Sequence, residues 1–183
     1  MPEYHRASVS GGTFFFTVVT YRRYPFFAKE TAITLLQKCF QTIASEYSYT
    51  MDAIVILPDH LHCIWTLPED DSDFATRWKL IKTTFTKNYS GRKAENVSES
   101  MRNKGERGIW QRRFWEHMIR DQEDFNRHCD YIHYNPVKHG LVNMPIEWKH
   151  SSFRDFVEKW YYPENWGQTV STVSKEVVAM DFE

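Results

Sequence analysis

Cysteine is scarce in this 183-residue chain: Cys39, Cys63 and Cys129 are scattered, odd in number and form no CxxC. That excludes a disulfide framework and the usual zinc spacings, and it fits a reduced, cytosolic protein. No apolar run approaches the roughly 20 residues of a membrane span, and no signal-peptide h-region stands near the start. Neither GxGxxG nor a P-loop is present, so the common nucleotide-binding α/β designs are excluded. Glycine and proline number seven each, with no repeat or low-complexity tract. Charge of one sign is missing too: the net charge is −1, so nothing global points to nucleic acid or membrane. Rings, by contrast, are plentiful. Phe, Tyr and Trp make up 16% of the chain, more than a disordered tail or coiled coil would carry.

The charge is unevenly spread. Residues 77 to 120 hold 12 basic and four acidic side chains, a local balance of +8 against −9 elsewhere. Such a segment can neutralise phosphates and release counterions, or it can be a solvated loop and helix face. Trp110, Phe114 and Trp115 are interleaved with Arg112 and Arg113. Rings and guanidinium planes of this kind stack on unpaired bases. Lys79, Lys82, Arg112, Arg113 and Trp115 are the candidates for such contact unless the segment is simply a solvated face.

The hydropathy pattern predicts an α+β chain of one catalytic unit over residues 1–160, with a weakly structured tail over 161–183. Residues 13–20 (TFFFTVVT) read as a central strand, apolar on both faces. A helix carries Ile33, Leu36, Phe40, Ile43 and Tyr47 on one stripe. Met51 to Leu67 reads as two strands joined at Pro58-Asp59. A second helix spans Asp73 to about Tyr89, and the polar stretch from Gly91 to Gly108 is expected to be a mobile loop. Ile109 to Ile119 can supply a strand. Asp121 then caps a helix that Pro136 is expected to end near Tyr134. The order fits a ferredoxin-like βαββαβ antiparallel sheet with helices packed on one face.

Two groups of residues could do chemistry. In a strand His60 and His62 share a face with Ile64 and Thr66, while Leu61, Cys63, Trp65 and Leu67 face the core. Two imidazoles on one face can grip a divalent ion, although two polar residues at the solvated start of a strand would look the same. On the later helix, Tyr131 and Asn135 fall on one side at the margin of the apolar stripe, near His128. A tyrosine there can serve packing alone. Taken together, a phenol needs activation or a polarised electrophile, and an ion on His60 and His62 could bind a phosphodiester oxygen. Asn135 could add a third ligand if the helix persists, and water and substrate oxygens would complete the shell of Mg²⁺ or Mn²⁺.

These residues resemble the REP-associated tyrosine transposases, relatives of the single-tyrosine HUH transposases of insertion sequences. The resemblance rests on GGTFFFTVVT, LPDHLHCIWTLPE, IWQRRFWEHMIRD, HCDYIHYNPVKHGLV and EWKHSSF, and it runs from about residue 4 to 160. It implies that His60 and His62 bind the metal, that Tyr131 is the nucleophile and that Asn135 is the third ligand. It also implies single-stranded DNA transesterification through a 5′-phosphotyrosine link, without ATP. The substrate would be REP sequences, short palindromes that fold into hairpins. The protein would be a bacterial, cytoplasmic and nucleoid-associated monomer with both halves of the site in one chain. The rival readings are a hydrolytic metal nuclease in which Tyr131 only packs, and a hairpin-binding regulator without catalysis. An RNA-binding ferredoxin-like domain is a third, but no RRM-type signature is present.

Overall fold

The computed structural model describes residues 9–91, 97–169 and 172–182. Its centre is a four-stranded antiparallel sheet in the order β2-β3-β1-β4. The strands are β1 (Thr13–Val19), β2 (Thr50–Ile56), β3 (His60–Thr66) and β4 (Trp115–Met118). Helix α1 (Glu30–Glu46) joins β1 to β2, and α2 (Phe74–Asn88) follows β3. A short α3 (Glu99–Asn103) precedes β4, and α4 (Gln122–Lys138), α5 (Phe153–Glu158) and α6 (Lys175–Ala179) complete the chain. With β1 and β3 central, this is the expected βαββαβ topology.

The helices do not share one face of the sheet. Helices α1 and α2 cover the face that presents Phe14, Phe16, Leu61, Cys63 and Trp65. Trp65 stacks on Trp78 of α2 at 4.4 Å, both rings fully buried. Helix α4 and the C-terminal segment cover the opposite face, around Phe15, Val55 and Ile64. The apolar residues on both sides of β1 require this, because a bare sheet face carrying Phe15 would leave a large ring in water.

Four further expectations are corrected. Helix α4 runs through Pro136 to Lys138 instead of ending near Tyr134. The proline removes one N–H and strains the preceding turn, a cost of roughly 3 kcal/mol. Burial of Tyr134 and Pro136 offsets it, and the His139 amide closes the last turn on Asn135 at 3.0 Å. The segment expected to be a mobile loop holds α3, with Met101 buried. Arg107 adds two hydrogen bonds from that segment to the last turns of α2, at the Thr86 and Tyr89 carbonyls. Residues 92–96 of that stretch lie outside the described residues. The strand expected over Ile109 to Ile119 is shorter, with Trp110 making only an isolated bridge to Thr20. The C-terminal segment is not weakly structured: Trp166, Val173 and Val177 are buried in the α4-side core. Among the described residues no helix is long and apolar enough to cross a membrane.

Candidate metal and tyrosine site

The β2–β3 turn places the two histidines. Thr20, at the end of β1, donates its amide and hydroxyl to the Asp59 carbonyl at 2.9 and 2.7 Å. That pins the Pro58-Asp59 turn to the end of β1 and fixes where β3 begins. His60 and His62 then lie on the α4 side with ring centroids 4.9 Å apart, both buried. The Nδ1 of His60 is hydrogen-bonded to Asp59 at 2.6 Å, and that of His62 to Thr17 of β1 at 2.9 Å. With Nδ1 engaged in each ring, coordination would fall to Nε2. Such outer partners fix ring orientation at metal sites.

Helix α4 crosses above. Asp121 caps it by accepting from the Asp124 amide at 2.8 Å. Tyr131, Asn135 and His139 follow at steps of four and so share a side. The Tyr131 ring meets His62 edge-on at 5.1 Å, and the His139 ring meets His60 at 5.2 Å. Asn135 lies between them on the helix, fully buried, and its amide nitrogen and oxygen have no hydrogen-bond partner among the described residues. An unsatisfied buried carboxamide costs roughly 1–3 kcal/mol, so a ligand for its oxygen resolves an otherwise unexplained burial. Two imidazoles and a carboxamide fit a divalent cation.

Tyr131 and Asn135 are not at a helix margin, as the sequence pattern suggests; both are buried. For Tyr131, residues of the C-terminal segment contribute to that burial. Phe182 packs against Tyr131 at 5.1 Å and Phe15 at 5.4 Å, and its amide donates to the Tyr131 hydroxyl at 3.4 Å. Lys138 places its ammonium 5.2 Å from the centre of the Tyr131 ring and donates to the Met180 carbonyl at 2.8 Å.

A second titratable group lies nearer the start of α4. Ligand-type atoms of His117, Asp124 and His128 fall within 4.8 Å of one another, a set that could hold an ion. The Asp124 carboxylate is already engaged by His117 at 2.8 Å and by the Arg120 amide and side chain at 3.1 and 3.3 Å. Arg127 adds a cation at 3.5 Å. Burial alone would raise this carboxyl, but the His117 bond, the Arg120 amide and the charges of His117 and His128 bring it down to about 2. Its negative charge is matched by protein cations, which argues for a structural tie.

The candidate DNA contacts divide. Lys79, Lys82 and Arg112 line one cavity between α2 and the segment before β4. Arg113 and Trp115 are exposed outside it, and Trp115 stacks on Phe182 at 4.8 Å. Two members of the basic segment are internal ties: Arg107, described above, and Arg77, which is buried and bonded to Asp71 and the Tyr47, Ser48 and Asp73 carbonyls.

Residues 8–135 match the family described as transposase IS200 like. A REP-associated tyrosine transposase of Escherichia coli strain K12 is 39% identical over 175 residues, covering 95% of this chain and 96% of that one. The chain belongs to the REP-associated tyrosine transposases. A Haemophilus influenzae relative assigned to the same transposases is 40% identical over 91% of this chain and 94% of its own. A solved REP-associated tyrosine transposase, bound to a REP hairpin, superposes with a TM-score of 0.74 at 37% identity. That comparison covers 96% of this chain and 98% of the other. The family match ends at residue 135. In this transposase Lys138 and Phe182, which sit against Tyr131, therefore lie beyond it. Sequence reasoning missed both, and Thr17 as well. The signal for Thr17 was present, since it interrupts an apolar run directly opposite His62 in the β1–β3 register. Nothing local in the sequence marks Phe182.

Proposed function

We propose that this protein cleaves and rejoins single-stranded DNA at REP-type hairpins, with Tyr131 as nucleophile. The observation that carries the reading is Tyr131 lying 5.1 Å, ring to ring, from His62 in the same chain, beside the buried Asn135 carboxamide. The E. coli relative and the hairpin-bound structure supply the substrate class.

In the reaction the Tyr131 oxygen attacks the scissile phosphorus. The P–O3′ bond breaks, the proton given up by the phenol is matched by one taken up at the departing 3′ oxygen, and a 5′-phosphotyrosine and a free 3′-hydroxyl result. Resealing is the reverse, so no nucleotide triphosphate is consumed. A divalent cation, Mg²⁺ or Mn²⁺, held by His60, His62 and Asn135 would supply Lewis-acid stabilisation of charge on the phosphate oxygens. Thr17 and Asp59 orient the two imidazoles. Tyr131 is 1% exposed with Phe182 packed on its ring, so access of DNA to the hydroxyl requires a rearrangement around it. Outside the site, Arg113 and Trp115 contact the strand, and Lys79, Lys82 and Arg112 hold it by charge. Both halves of the site stand in one chain, which supports a monomer.

The test is cleavage of end-labelled hairpin DNA with an unpaired flank. The reading predicts cutting in the flank with Mn²⁺ or Mg²⁺, none with chelator and none by His62→Ala. Metal-independent cutting, or binding without any cutting, would contradict it.

A further inference from the structure

A second cavity lies between β2, α4 and the residues at the end of α5. Its volume is about 510 Å³, within the roughly 300–1,000 Å³ of small-molecule sites. Four rings wall it: Phe125, Phe156, Tyr161 and Tyr162. Two half-buried carboxylates open into it, Asp52 from β2 and Asp130 from α4. The Thr66 hydroxyl donates to Asp52 at 2.7 Å, and the Tyr162 hydroxyl donates to Asp130 at 2.6 Å. Among the described residues neither carboxylate has a cationic partner, and Lys159, exposed at the rim, pairs with neither. Burial pushes both carboxyls up, as expected of charges that the protein itself leaves uncompensated.

Ordinary strand alternation does not put Asp52 there. Ala53 and Val55 face the α4 side, and Ile54 packs on the other. Alternation would send Asp52 to the same side as Ile54. The β2–β3 register shifts between Met51 and Ala53, which makes Asp52 the extra residue of a bulge. Bulges re-aim side chains, and this one turns a carboxylate into the cavity. The Cys129 thiol, 2% exposed, also lines the cavity and has no hydrogen-bond partner among the described residues. Its sulfur is a further, weak acceptor. The donor atoms of Asp52, Cys129 and Asp130 do not gather within 4.8 Å, as those of His117, Asp124 and His128 do. One metal ion therefore cannot take all three.

Spread-out acceptors, uncompensated negative charge and ring walls together select an organic cation. A phosphate would be repelled, and a neutral apolar ligand would leave both carboxylates unpaired. An alkylamine gives N–H donors to the carboxylates and lays its methylenes along the rings, whose faces also attract its charge. We propose that this cavity binds an alkylamine cation, with ammonium groups at Asp52 and Asp130 and the chain along Phe125, Phe156 and Tyr162. The site does not depend on the hairpin-cleavage reading, since its charge is of the sign that repels DNA. Two sources offer this chemistry: a free polyamine, and a lysine side chain of a partner protein.

The full chain is titrated with spermidine by calorimetry, alongside Asp52→Asn, Asp130→Asn and Glu158→Gln. Glu158 is an exposed acid outside the cavity lining, so its variant controls for the loss of one negative charge. The expected result is saturable binding of one spermidine per chain, unchanged in Glu158→Gln. Each asparagine variant should bind about tenfold more weakly or worse, the scale of one lost charged hydrogen bond. Neither should melt below the wild type without ligand, since each keeps an acceptor and removes an unpaired charge. Nα-acetyl-lysine-N-methylamide is the second probe and separates the sources. Binding tighter than that of spermidine upholds the proposal and assigns the cavity to a protein side chain; weaker binding upholds it for the free polyamine. No binding of either probe, equal weakening in all three variants or in none, or displacement by Mg²⁺ at equal ionic strength would overturn it.

Discussion

At the scale of single residues, three side chains, two on β3 and one on α4, form the proposed cation site. His60 and His62 are turned by Asp59 and Thr17, and Asn135 is buried with its carboxamide unsatisfied by protein. If these donors take a cation, Mn²⁺ should raise the melting temperature by mass action, since the unfolded chain has no such site. His60→Ala should abolish that increment, and Asn135→Ala should reduce it while raising metal-free stability, because a costly buried amide is removed. Differential scanning calorimetry with and without Mn²⁺ reads both. The histidine pair was legible from the sequence because strand alternation fixes which residues share a face. The burial of Tyr131 was not, because it depends on Phe182, 51 residues away.

At the scale of elements, α4 carries the tyrosine and the third donor, and its entry is fixed by the Asp124 cluster. The Asp124 carboxyl is brought down to about 2, from the ordinary 3.8. A depressed carboxyl stabilises the fold fully above its unfolded value and loses that contribution as pH falls through the folded one. Stability should therefore drop between about pH 4 and pH 2 by an amount of order 2 kcal/mol. Asp124→Asn should be less stable at pH 7 and lose that part of the acid dependence, as measured by urea unfolding at stepped pH. The elements themselves were largely readable: periodicity gave α1, α2 and the β2–β3 pair. It failed where tertiary packing overrode local preference. Pro136 should stop a helix on backbone grounds, and it does not, because the residues around it are buried. The polar stretch before Gly108 should be loose, and Arg107 ties its end to the Thr86 and Tyr89 carbonyls at the end of α2.

At the scale of the whole molecule, the sheet is enclosed on both faces and the C-terminal segment completes the second. Val177 is 1% exposed in that core, so Val177→Ala should cost about 2 kcal/mol in chemical denaturation. A cost near zero would mean that the segment is not part of the cooperative unit. Within one chain His62 and Tyr131 already face each other, and a mixture of His60→Ala and Tyr131→Phe proteins should stay inactive. Restored cleavage would mean that the site is assembled between chains. A sequence with a net charge of only −1 hid its basic cavity behind acids elsewhere, which is why composition alone could not point to DNA.

The most direct measurement is a denaturing gel of labelled hairpin DNA incubated with Mn²⁺ and either wild type or Tyr131→Phe. The phenylalanine keeps the ring against His62 and removes only the hydroxyl. An SDS-resistant protein–DNA adduct with the wild type, absent with the variant along with all cutting, is the predicted result. Cleavage that survives in Tyr131→Phe without an adduct would contradict the account and leave a hydrolytic nuclease in its place.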